Sequence, residues 1–110
     1  MAAFFFNIDG TLVKYHTNEW LPGAKEMLER LNMEGHTIIL MTMRGTQDDD
    51  KEWSVENTQK LIATLYIESV NVIYGVPSPR IFVDDRSNSL VHHPKDKPWD
   101  ECKVKLPVAF

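Results

Sequence analysis

A single cysteine, Cys102, stands among 110 residues. No intramolecular disulfide can form, which fits a reducing compartment and sets the expectation of a cytoplasmic protein. No His or Lys pattern around Cys102 marks it as a nucleophile. No apolar run reaches the ~20 residues that span a bilayer, so no membrane segment is expected. The apolar stretch at residues 2–6 is too short for a signal peptide and lacks a basic region before it. Basic charge is also scarce: 12 Lys and Arg stand against 16 Asp and Glu, for a net charge of −4. Neutralising a nucleic-acid backbone needs clustered Lys and Arg, and no basic stripe is present, so no nucleic-acid partner is expected. Repeats and low-complexity tracts are absent too. The length suits one domain with one core, and a domain burying roughly 65% of its unfolded surface has no room for a large insertion.

What the chain does have is alternation. Residues 3–8 are an apolar run and read as a buried strand. Ala24, Met27, Leu28 and Leu31 recur at helical spacing, with Pro22 suited to the first turn and Gly35 to the stop, which predicts a helix over 22–34. Residues 37–41 form a second apolar strand. A second helix is predicted from Trp53 or Ser54 to Ile67, with Thr58, Leu61, Ile62, Leu65 and Tyr66 inward. Residues 69–74 are a third strand candidate and 81–83 a fourth. Strands alternating with helices imply a mostly parallel sheet, Rossmann-like, with helices on its faces as a three-layer α/β/α core. Residues 1–91 make up this core. Residues 92–110 carry three prolines and no clear period, and are expected to pack back as a tail rather than form a domain.

Three strands end in polar signatures: Asn7 and Asp9, Thr42 and Arg44, Asp84 and Asp85. In a parallel sheet these ends share one edge, where such sheets bind ligands. Crowded carboxylates repel and recruit a cation, and Mg²⁺ suits oxygen ligands while bridging to phosphate. Gly10 and Thr11 could aim amides at an anion, and Thr42 offers a hydroxyl. The combination points to a Mg²⁺-assisted phosphoryl site.

The chain resembles a small, capless member of the haloacid dehalogenase-like (HAD) superfamily of phosphohydrolases. The family's first motif, an apolar strand followed by D-x-D-G-T, stands here as Asn7-Ile8-Asp9-Gly10-Thr11. Its second, a strand ending in Ser or Thr, is Thr42 in a T-x-R form. Its fourth, a strand ending in paired acids, is Asp84-Asp85. The resemblance spans residues 3–86. It implies Asp9 as general acid/base, with its backbone carbonyl on Mg²⁺. It also implies Asp84 and Asp85 as metal ligands, Asn7 as a weak one, and Gly10, Thr11, Thr42 and Arg44 around the phosphoryl group.

Two departures cut against turnover. The family's nucleophilic Asp is replaced by Asn7, and a carboxamide cannot form an aspartyl-phosphate. Gly75-Val76-Pro77 resembles the family's G-K-P, so Val76 stands where a charge-stabilising lysine belongs. Losing such a donor typically costs a factor of about 10²–10³ in rate. Arg80, Arg44 and Lys60 are the candidate substitutes. The expectation is therefore an impaired or inactive phosphohydrolase relative, with a Mg²⁺/phosphate site for a small phosphorylated molecule or phosphate. The alternatives are an active Mg²⁺-dependent phosphatase (or an active parent altered at Asn7) and a non-catalytic module using the open edge for a protein partner. A receiver-type signalling domain is set aside, because its acid pair would follow the first strand rather than the fourth.

Blander readings stand beside these. Thr42 also suits a strand end or cap, and Asp84-Asp85 also suits the N-cap of a short helix at 86–91. Arg44 equally suits an ion pair with the acidic loop. Trp20 and Trp53 read as packing residues, and the His92-His93 pair points apart on an extended tail rather than toward one metal.

Overall fold

The computed structural model describes residues 2–45, 53–85 and 92–100. It is a small α/β unit with strands β1 (Ala3–Asn7), β2 (Thr37–Met41) and β3 (Asn71–Ile73), and helices α1 (Ala24–Met33) and α2 (Val55–Ile62). The strands are parallel in the order β1-β2-β3, with Asn7 opposite Met41 and Met41 opposite Ile73. All three carboxyl ends therefore meet at one edge.

Two right-handed crossovers running the same way across the sheet put both helices on one face. Burial agrees. Phe6, Ile38 and Leu40 face inward with Ala24, Met27, Leu28 and Leu31 of α1 and Leu61 of α2. On the other face Phe5 is 48% exposed and Ile73 47%. Among the described residues there are two layers, the sheet and one layer of helices, where an α/β/α arrangement of three was expected.

Helix α1 forms where the spacing predicts it, over a shorter span. Gly23, at φ +81°, turns the chain into it. At its other end His36 donates its N–H to Leu31 O and Gly35 to Asn32 O. Helix α2 starts where Ser54 Oγ accepts from Asn57 N at 3.1 Å. It stops at Ile62, not Ile67. Beyond that point helical spacing no longer sets direction, so Leu65 is buried while Tyr66 is 88% exposed rather than inward.

The third strand is real and parallel, but spans only three residues. The fourth strand is not formed. Ile81, Phe82 and Val83 join no ladder and are 85%, 41% and 93% exposed. Only six residues link Tyr74 to Ile81. That link leaves little chain to cross the sheet and return to its opposite end. Instead Phe82 packs on Phe5, ring centroids 5.5 Å apart. No helix among the described residues is long and apolar enough to cross a membrane. The 46–52 loop, the 86–91 segment with its expected short helix, and Cys102 lie outside the described residues.

Candidate functional site

The first strand delivers Asn7 to the carboxyl edge, and the turn after it folds on itself. Leu12 and Val13 both donate to Ile8 O, at 2.9 and 3.1 Å. Gly10 N–H donates to Val13 O at 2.8 Å and Thr11 N–H to Ile8 O at 3.3 Å. These two amides are committed inside the turn and do not point at an anion. Gly10, at φ +79°, lies beneath Tyr15 and Lys95.

Asn7 bridges the turn to a distant residue. Its Nδ2 donates to Asp9 O at 2.6 Å and to Thr11 Oγ1 at 3.3 Å. Its Oδ1 accepts from Arg80 Nη1 at 3.0 Å. Arg80 also donates through Nη2 to Val76 O at 3.1 Å, and its Nε is buried with no hydrogen-bond partner. Burial lowers the Arg80 pKa from its ordinary value. A guanidinium keeps its charge in a protein, so this is a cation short of compensation.

Arg44 has the opposite situation. Its side chain is fully buried and every N–H has a partner. Nε and Nη2 clasp the Asp9 carboxylate, the shortest contact 2.8 Å. Nη1 donates to Asn18 Oδ1 and Thr58 Oγ1, and Nη2 also to Thr17 O. Five donors in a rigid fork suit this many acceptors, where a lysine would not. Arg44 therefore pairs with Asp9 and knits β1, the 12–21 loop and α2. It has no N–H left to offer a phosphoryl group, contrary to its expected role. Asp9 is correspondingly held as a paired carboxylate.

Thr42 is fully buried at the end of β2, and its Oγ1 accepts from Arg44 N at 3.0 Å. Its backbone joins the third strand's end through Ile73 O and Val76 N. Of the three substitute cations, only Arg80 touches the nucleophile position. Lys60 lies exposed on α2 beside Glu56 at 3.5 Å.

Asp84 and Asp85 are exposed. Among the described residues, no group of three or more His, Cys, Asp or Glu gathers as it would around a metal ion. The oxygens expected to bind Mg²⁺ face donors instead: Asp9 O meets Asn7 Nδ2, and Asn7 Oδ1 meets Arg80. As arranged, these residues do not fit a resident Mg²⁺.

Sequence reasoning missed Asn18 and Asp96, and it read Thr58 only as an inward helix position and Trp99 only as part of a packing tail, though all four hold parts of this edge. No local pattern announces these hydrogen bonds, because each acts across at least 14 residues. No protein-family model, curated protein or solved structure was found to match this chain.

Proposed function

We propose that the carboxyl edge of β1 and β2 is a phosphate site of HAD-like descent, one that binds the phosphoryl group of a small phosphoester and does not turn it over. A HAD-like core for this α/β unit belongs to the same proposal. The observation that carries it is the partly buried Arg80 guanidinium, with one N–H lacking a partner and another on Asn7 Oδ1 at 3.0 Å. Arg80 is then the cation that stands in for the lysine missing at Val76. A phosphoryl oxygen accepting from the Arg80 guanidinium would form a bond with charge on both sides, stronger than the one to the uncharged Asn7 amide. No residue at position 7 attacks phosphorus, because a carboxamide oxygen is too weak a nucleophile.

The test has two parts. Binding of inorganic phosphate is measured by titration calorimetry on the protein as it stands and on Arg80→Ala. Release of phosphate from an aryl phosphate is then measured for the unaltered chain and for Asn7→Asp, each with and without added Mg²⁺. The expected result is phosphate binding that needs Arg80, with turnover only in Asn7→Asp. Turnover by the unaltered chain would refute the inactive reading, and failure to bind phosphate would refute the site.

A further inference from the structure

We infer that residues 93–100 are a clamp on the Asp9–Val13 turn, with Asp96 and Trp99 as positioning residues for the edge that carries Asn7. In functional terms the inference rests on the phosphate reading, but its geometry stands apart from it. The turn leaves two carbonyls pointing away from its own amides, and the segment supplies a donor to each. Asp96 N–H donates to Gly10 O at 2.8 Å, and Trp99 Nε1 to Thr11 O at 2.7 Å. The Asp96 side chain accepts from Tyr15 N at 2.7 Å, which fixes the far side of the same loop. Trp99 N–H also donates to Pro22 O at 2.7 Å, so the segment spans from the turn to the start of α1.

Packing reinforces the clamp. Trp99 meets Phe6 of β1 edge-on at 6.0 Å and is stacked by His93 at 4.2 Å. Lys95 Nζ lies 3.9 Å from the Tyr15 ring centroid. The link to the site is direct. Thr11, held through its carbonyl by Trp99, also accepts the Asn7 amide through its hydroxyl. Releasing Thr11 would remove one of the two acceptors that orient the Asn7 amide, leaving Asp9 O, and would loosen the acceptor that meets Arg80.

Hydrogen exchange on the full chain tests this, with Trp99→Phe, Asp96→Gly and Asp96→Asn. Phe keeps the ring but loses the indole donor. Gly tolerates the φ of +61° at position 96 and removes the acceptor. Asn suits the same φ and keeps an acceptor oxygen. The expected result is a loss of about five- to ten-fold in protection of the Leu12 and Val13 amides in Trp99→Phe and Asp96→Gly, the size of one lost hydrogen bond. Protection in β2 should be unchanged, and Asp96→Asn should behave like the parent. Inorganic phosphate should bind several-fold more weakly in the first two variants. Turn protection equal to the parent, or loosening spread evenly over the molecule, overturns the clamp. A parent that binds no phosphate refutes the phosphate reading, while the exchange pattern still decides the clamp.

Discussion

At the scale of single residues, two arginines divide two tasks. Arg44 is buried and fully paired, so its charge holds the structure together. Removing one partner of a buried ion pair leaves the other uncompensated, which typically costs about 3–5 kcal/mol. Arg44→Met should therefore lower stability by about that amount in urea unfolding, since Asp9 would lose its clasp. A loss below ~1 kcal/mol would mean that water or another donor reaches Asp9 in the variant. Arg80 should act on binding instead. Hydrogen bonds to charged groups are worth about 1.5–3 kcal/mol, so Arg80→Ala should weaken phosphate affinity by roughly 10- to 100-fold with little change in unfolding midpoint. Arg80→Lys should recover part of it, because lysine supplies the charge without the fork. Equal affinity in parent and Arg80→Ala would remove Arg80 from the site. The T-x-R spacing made Arg44 visible in sequence, but not its direction. A side chain three residues past a strand end is equally placed to face ligand or core, and the Asp9 carboxylate decided the matter.

At the scale of elements, local pattern was most legible where burial and spacing agreed. Helix α1 carries four buried positions at helical spacing and forms within the predicted span. Helix α2 ends early because its pattern outlasted its hydrogen bonding. The fourth strand failed for a reason of chain length rather than composition. Ile81-Phe82-Val83 is apolar enough for a strand, but Arg80 reaches Asn7 at the near end of β1 and the chain has little slack to start from the far end. Two turns at helix starts give sharp tests. Ser54 caps α2 through Asn57 N, so Ser54→Ala should destabilise by about 1 kcal/mol in thermal or urea unfolding. Gly23 is more demanding. A Cβ there would lie 2.5 Å from the Asp100 backbone nitrogen, and the φ of +81° already disfavours any side chain. Gly23→Ala should cost at least about 1–3 kcal/mol and detach the Asp100 end of the clamp, visible as increased exchange of the Trp99 amide. An unchanged Trp99 amide would mean that α1, not the clamp, gives way.

At the scale of the whole molecule, the clamp ties residues late in the chain to the first strand and its turn, and it makes stability depend on pH. His93 lies flat on Trp99, and burial pushes its pKa below the ordinary 6.5. The charges of Lys97 and His92 act the same way, while the bond between His93 Nε2 and Lys97 O opposes them. The folded state thus prefers the neutral ring. Well above pH 6.5 the ring is neutral in both states and the stack contributes in full. As pH falls below 6.5, the unfolded chain takes up a proton that the folded chain resists, so stability declines until the folded pKa is passed. Carboxylates titrate mostly below about pH 5, which leaves a window between the two. His93→Phe keeps an aromatic ring against Trp99 and removes the titration. Urea midpoints measured from pH 8 down to 5 should fall for the parent below about 6.5 and stay flatter for His93→Phe in the same interval. Identical slopes in both proteins would show that His93 is not the group responsible, and that the fall belongs to another histidine or to the acids.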